Sequence, residues 1–156
     1  MQGGSVVRLF LKEIRDLKET EVEIRYKEKD TEVENLVSAV NSVSDRLPAV
    51  TEGGDNVLLI VSKILYFDAV DRYVFAYSAD DVYKVRKTLY DLEEEYASRS
   101  FVRISKASIV NINAVRKISP EEGRRLRLLL TNGETVIVSR GYVSGFKTAI
   151  GMKGDA

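Results

Sequence analysis

The residues best placed for chemistry form the polar segment Ser105-Lys106-Ala107-Ser108, which separates two apolar runs of β-strand length. A lysine and two hydroxyl groups held between rigid strands can donate hydrogen bonds to phosphate oxygens or to the edges of bases. The same residues would also suit the solvated turn of an ordinary half-buried strand. The four residues alone leave both interpretations open.

Two residue types that enzymes use most often are absent. The chain has no histidine and no cysteine, which excludes Ser-His-Asp and Cys-His sites, thiolate nucleophiles and metal sites built from these ligands. Among the carboxylates, Asp80-Asp81 suits a turn and the run at 93–95 suits the solvated face of a helix. We therefore predict a protein that is not an enzyme and holds no cofactor and no metal.

Positive charge is concentrated in the last third of the chain. The whole sequence has 24 basic and 24 acidic residues, whereas residues 101–147 contain nine basic and three acidic ones. Such an excess is typical of a surface that binds a polyanion. Solvated strand edges protected by lysine and arginine are the alternative.

The order of segments after residue 56 predicts a mainly β fold with a minor α component. Short apolar runs alternate with turn residues such as Asp71-Arg72 and Asn132-Gly133, which favours antiparallel sheets. Helices are predicted over 86–98 and 140–150, and a loop over 119–123. There is no glycine-rich phosphate loop and no helix-turn-helix pair.

Residues 1–52 are predicted to be a small strand-and-helix extension of a module that spans 53–156. Strands are predicted over 6–11 and 21–26, and an amphipathic helix over 31–47 with Asp30 as its N-cap. The boundary is placed at Gly53-Gly54. The apolar stripe of this helix needs a cover from this chain or from another copy, so the extension is a candidate dimerisation or regulatory element.

Residues 57–150 resemble a LytTR-type DNA-binding domain. The matching features are I-L-Y-F-D at 64–68, F-V-R-I-S-K-A-S-I-V-N-I-N at 101–113 and V-S-R-x-Y at 138–142. Their combination at these distances is specific, although each piece alone would be weak. The resemblance implies short antiparallel sheets in an elongated β-β-β arrangement. It also implies that loops between strands, and not a recognition helix, contact the DNA.

The resemblance maps DNA contacts onto three loops, around Arg72, Lys106 and Arg140. An arginine can make a bidentate contact to guanine or to a phosphate, and a lysine supplies a point charge. The candidate DNA-binding residues are Arg72, Tyr73, Arg103, Ser105, Lys106, Ser108, Arg116 and Arg140. A core role is equally open for Tyr73, and a strand-face role for the arginines at 103 and 116. Asn111 is expected to bond backbone groups in a turn.

The predicted function is a sequence-specific transcriptional regulator that binds double-stranded DNA as a homodimer on spaced repeats. The alternative is a non-enzymatic β module that binds a protein in signalling. Residues 1–56 are too few for the five βα units of a receiver domain, so the chain resembles stand-alone, response-regulator-like members of the family. Such members often accompany a membrane protein that restrains them. With no signal-peptide pattern and no long apolar run, a cytoplasmic location is expected.

Overall fold

The computed structural model describes residues 6–18 and 20–152. Its elements are α1 (Thr31–Ser44), β1 (Arg46–Val50), β2 (Asn56–Ile60), β3 (Tyr66–Val70), β4 (Tyr73–Tyr77), β5 (Val82–Val85), α2 (Leu89–Tyr96), β6 (Phe101–Arg103), β7 (Ser108–Asn111), β8 (Val115–Glu121), β9 (Arg125–Leu130), β10 (Thr135–Val138) and α3 (Val143–Ala149). Short 3₁₀ turns cover Val61–Lys63, Ala97–Arg99, Ile112–Ala114 and Arg140–Tyr142. The predicted mainly β fold with few helices is confirmed.

The strands form two antiparallel sheets. One has the order β2-β1-β5-β4-β3-β7-β6, and the other has the order β10-β9-β8. Tight connections make this pattern possible. Val70 pairs with Tyr73 across the two-residue turn Asp71-Arg72, and Thr135 pairs with Leu129 beyond the turn that contains Gly133. Gly133 has a φ of 90°, a conformation that favours glycine.

Strand β7 separates two hydrophobic cores. Ile109 packs in the first core with Leu92 of α2, and Val110 packs in the second with Leu128 of β9 and Phe146 of α3. Successive side chains of a strand point to opposite faces of the sheet, so burial of both valine and isoleucine requires a cover on each face. Helix α2 covers one face, and the three-stranded sheet with α3 covers the other.

The N-terminal predictions are partly wrong. Residues 6–11 and 21–26 are not strands, because no neighbouring strand in the described part of the chain pairs with them. Helix α1 does begin after Asp30, whose carboxylate accepts a hydrogen bond from the Val33 amide at 3.0 Å. It ends at Ser44 and not at 47, since the residue before Pro48 is disfavoured in helical conformation.

Strand β1 therefore contains residues that were predicted to be helical. Leu47 is fully buried in the first core and pairs with Leu59 of β2. Gly53 and Gly54 form the turn between β1 and β2, where Gly54 has a φ of 93°. The predicted boundary at 52–53 thus falls inside a β-hairpin, and β1 belongs to the same sheet as the strands that follow it.

The predicted loop over 119–123 is also wrong in its first half. Strand β8 continues through Pro120 to Glu121. Strand β8 lies at the edge of its sheet, so the backbone groups on its outer side have no partner strand. Pro120, which has no amide hydrogen, is tolerated in such an edge strand. Gly123 and Arg124, with φ values of 75° and 61°, then form the turn into β9.

Candidate nucleic-acid interface

Both serines of the loop between β6 and β7 make hydrogen bonds inside the protein. Ser105 Oγ accepts from the Ala107 amide at 3.1 Å, and Ser108 Oγ donates to Asp68 Oδ1 on β3 at 2.6 Å. These hydroxyl groups fix the shape of the loop and its attachment to the sheet. Lys106 lies between them with its side chain exposed.

Arg103 attaches the same loop to helix α2. Its guanidinium donates from Nε to the Ser105 carbonyl at 2.7 Å and from Nη2 to the Lys106 carbonyl at 2.6 Å. Nη1 forms an ion pair with Glu93 Oε1 at 2.9 Å. With its side chain 20% exposed, Arg103 directs all three nitrogens at protein groups. The geometry suits a residue that positions Lys106.

The Arg72 turn lies beside this loop. The Ala69 amide, near the end of β3, donates to the Ala107 carbonyl at 2.7 Å, and the turn follows directly. Asp71 has a φ of 58°, a left-handed conformation that aspartate adopts more readily than most residues. Arg72 is exposed at the tip of the turn.

Arg140 approaches the loop from the other sheet. The Ser139 amide donates to the Ile104 carbonyl at 2.8 Å, which anchors the end of β10 two residues before Lys106. Arg140 follows at once and is exposed. Two backbone hydrogen bonds therefore bring the loops that carry Arg72, Lys106 and Arg140 to one end of the fold.

The three exposed cations on these loops make no side-chain hydrogen bond or ion pair with the residues that the structure describes. The arginines of the β8–β9 hairpin differ. Arg127 Nε donates to Glu121 Oε2 at 3.0 Å, and this contact holds the pKa of the Glu121 carboxyl below its usual range. Arg125 Nε donates to the Glu122 carbonyl at 2.8 Å. Arg125 and Arg127 are therefore less available to a ligand than Arg72, Lys106 and Arg140.

Tyr73 is half-exposed beside the Arg72 turn and is not a core residue. Its side chain is 46% exposed, and Lys84 Nζ of β5 lies 4.2 Å from the centre of its ring, a cation–π contact. Lys84 adds a cation near the turn that sequence reasoning missed. Lys84 is the diagonal cross-strand neighbour of Tyr73. This relation can be recognised only when the pairing of β4 with β5 is known.

Arg116 lies apart from the three loops. It is the extra residue of a β-bulge, since Val115 pairs with Leu130 and Lys117 with Leu129. The bulge interrupts the alternation of faces and leaves both Arg116 and Lys117 exposed. This pair follows the end of β7 that is distant from Lys106, so the structure does not bring it together with the other candidates.

No helix in residues 6–18 and 20–152 is long and apolar enough to cross a lipid bilayer. In the same part of the chain, no group of three or more acidic side chains is arranged to hold a metal ion.

Comparisons with known proteins agree on one family. The family model of the LytTr DNA-binding domain matches residues 55–151. The sensory transduction protein LytT of Enterococcus faecalis is 30% identical over 102 residues, which are 65% of this chain and 42% of that protein. An HTH-type transcriptional regulator of Staphylococcus aureus (strain MSSA476), itself uncharacterized, is 27% identical over 138 residues, covering 86% of this chain and 93% of that protein.

A solved structure has a similar fold. The LytTr DNA-binding domain of a putative methyl-accepting/DNA response regulator from Bacillus cereus superposes with a TM-score of 0.65 and 27% sequence identity. The match covers 70% of this chain and 99% of the other.

Proposed function

Since this chain belongs to the LytTr DNA-binding domain family, we propose that it is a transcriptional regulator that recognises specific DNA sequences through the loops between its strands. The observation that carries the proposal is the grouping of Arg72, Lys106 and Arg140 on three loops tied together by backbone hydrogen bonds. Arginine can make bidentate contacts to guanine or phosphate, and lysine a charge contact to phosphate.

The arrangement of helices supports recognition by loops. In the described residues, strands separate α1 from α2 and α2 from α3, so no two α-helices are joined by the short turn of a helix-turn-helix. The matched family is one of DNA-binding domains, and we propose no catalytic role.

The remaining candidate residues have supporting roles in this proposal. Arg103, Ser105 and Ser108 hold the Lys106 loop in place through the hydrogen bonds described above. Tyr73 orients Lys84 beside the Arg72 turn. Arg116 contacts phosphates only where the DNA extends past the three loops.

We further propose that the protein acts in the cytoplasm as a homodimer on spaced repeats. Of residues 1–52, the N-terminal arm (residues 6–26) and α1 serve as the dimerisation or regulatory extension, whereas β1 completes the sheet of the DNA-binding domain formed by residues 53–156. The alignment with the staphylococcal relative covers 86% of this chain, so that relative shares part of the first 52 residues. A restraining membrane protein is the proposed second partner.

The full chain is first used to select the sequences that it binds from a random DNA pool. Fluorescence anisotropy then measures how tightly the wild type and its variants bind these sequences. We expect Lys106→Ala and Arg140→Ala each to weaken binding about tenfold or more. Each should also reduce the slope of log K against log salt by about 0.9 if it removes one phosphate contact. Arg127→Ala is the matched control and should bind normally, because this exposed arginine of β9 lies outside the three loops and is paired with Glu121.

A variant with both substitutions tests whether the three loops form the DNA contact surface. If Lys106→Ala combined with Arg140→Ala leaves both affinity and salt slope unchanged, the three loops are not the contact surface. If the pool yields no preferred sequence for the wild-type chain, sequence-specific recognition itself is wrong.

A further inference from the structure

Strand β2 is an apolar edge strand that lacks a cover. Its sequence N-V-L-L-I contains four large aliphatic residues and no charge, yet none of its five residues is buried. Leu58 is 65% exposed. Among the described residues β2 pairs only with β1, which leaves the backbone groups of its outer side without a strand partner. Proteins normally protect such edges with charges, proline or a covering element.

The N-terminal arm, residues 6–26, carries exposed apolar side chains and has no strand to pair with among the described residues. Apart from residue 19 it is described, and it contains no helix and no paired strand. Its exposed large apolar residues are Val6, Val7, Leu9, Phe10, Leu11, Ile14, Leu17, Val22 and Tyr26, with exposed fractions from 41% to 89%. Within it, Glu21 to Tyr26 alternates charged and apolar residues, as a half-buried strand does.

Helix α1 separates this arm from β1 and β2 along the chain. The C-terminal end of α1 is fixed at Asp45, whose carbonyl accepts from the Val61 amide at 3.2 Å and whose carboxylate pairs with Arg99. From that anchor the 14-residue helix extends about 21 Å before the arm begins. The arm is joined to the rest of the fold through the far end of α1, and its exposed apolar side chains are available to a second molecule.

We propose that residues 21–26 of one copy add to the β2 edge of a second copy, and that the two copies exchange arms reciprocally. The inference deepens the homodimer of the proposed function by naming the surface that forms it. Backbone hydrogen bonds to the free edge would provide affinity, and side chains on alternate positions would provide specificity. A reciprocal exchange closes into a two-fold dimer and leaves neither edge free.

The surroundings of β2 fit this occupant. Leu58 and Ile60 line an open cleft of about 500 Å³ that also contains Tyr83 and Lys63, so apolar side chains of an added strand have a place to pack. In an extended 21–26 segment, Val22, Ile24 and Tyr26 lie on one face, so all three can enter this cleft together. Glu23 lies on the opposite face, where it forms an ion pair with Arg25 at 2.7 Å.

The absence of cysteine makes the test direct, because any introduced thiol is the only one. Val22→Cys and Leu58→Cys chains are mixed and treated with a short bismaleimide. We expect a cross-linked species containing one chain of each kind, at twice the 17.5 kDa of the monomer. Tyr90→Cys on α2, with a similar exposed fraction of 64%, replaces Leu58→Cys as the control and should give no such product.

Two outcomes would overturn the exchange. One is the absence of the mixed product. The other is an intramolecular link in a chain that carries both cysteines, with no dimer, because the arm would then cover its own β2.

Sedimentation provides the second measurement. Leu58→Lys should raise the dimer dissociation constant at least tenfold, while Tyr90→Lys leaves it unchanged. Circular dichroism should show the wild-type content of secondary structure in both variants. A wild-type chain that binds selected DNA but sediments as a monomer contradicts the exchange and the proposed homodimer, but not the proposed DNA recognition. A cross-linked dimer without DNA binding supports the exchange and contradicts the proposed function.

Discussion

Replacing Arg103 with alanine should show how much DNA affinity depends on the position of the Lys106 loop, because the charge of Lys106 itself is kept. The Arg103 guanidinium makes two hydrogen bonds to loop carbonyls and one ion pair with Glu93, from a side chain that is only 20% exposed. Hydrogen bonds from charged donors contribute about 1.5–3 kcal/mol each. Because the three contacts share one group and Glu93 is 42% exposed, we expect the free energy of unfolding to fall by about 3 kcal/mol.

The effect on DNA should differ from that of removing a contact. Without Arg103 the loop carbonyls lose their donor, and Lys106 is no longer held in its orientation. Affinity for DNA should fall, whereas the number of neutralised phosphates stays the same and the salt slope remains at its wild-type value. Lys106→Ala should instead reduce the slope by about 0.9. Urea denaturation measures the first quantity, and anisotropy titrations from about 50 to 200 mM salt measure the second.

A reduced salt slope in Arg103→Ala, equal to that of Lys106→Ala, would refute the reasoning, because Arg103 would then contact phosphate itself. Arg103→Lys keeps the charge but loses the planar fork, and should restore little of the stability. Arg116→Ala is the matched control. This exposed arginine makes no hydrogen bond in the described structure and should change the unfolding free energy by less than about 0.5 kcal/mol.

Two further predictions concern the core. Asn111→Ala should lower the free energy of unfolding by about 3 kcal/mol, because the buried amide donates to the Ile64 carbonyl at 2.9 Å and accepts from the Asn113 amide at 3.0 Å; a urea midpoint equal to wild type would contradict it. Burial, with the nearby Glu95 and Asp45, raises the pKa of Tyr96 to about 12, above an unfolded value of about 10, so its stabilisation is complete below pH 10 and is lost as pH rises toward 12. Tyr96→Phe should therefore lose less stability than wild type over that interval in urea titrations at each pH, and identical pH profiles would show that the tyrosine does not contribute.

Local signals in the sequence were sufficient for much of the fold. Asp30 as an N-cap and Asn132-Gly133 as a hairpin turn act through contacts within a few residues, and both are formed. Asn111 was expected to bond backbone groups, and it does so with carbonyls almost fifty residues away as well as within its own turn. Residue type predicted the role, although not the long-range partners.

The errors have a common cause, which is that pairing between distant segments decides the outcome. Leu47 fits the helical spacing of α1, yet Pro48 and the hairpin with β2 make it part of a strand. Pro120 predicts a turn, but an edge strand can contain proline. Whether β8 is an edge strand depends on the order of strands in the sheet, which local sequence does not show. The apolar run at 6–11 and the alternation at 21–26 are typical of strands, but neither segment has a neighbouring strand to pair with in the described chain.

The three-loop arrangement was predicted only by family resemblance. Charge and spacing indicated a basic region, but the backbone bonds from Ala69 to Ala107 and from Ser139 to Ile104 join residues more than thirty positions apart. The bulge at Arg116 likewise depends on the register of β8 with β9.

The position of β7 between two cores has a consequence for how the protein opens. Neither core can separate from the sheet without exposing one face of β7, so both should unfold in a single cooperative step. The amides of Ile109 and Val110, bonded into a strand with neighbours on both sides, should then exchange with solvent hydrogen only through global unfolding. The Lys106 loop ends immediately before β7, the strand expected to open most slowly. Its geometry is therefore largely set before a ligand arrives, and little ordering entropy remains to be lost on binding.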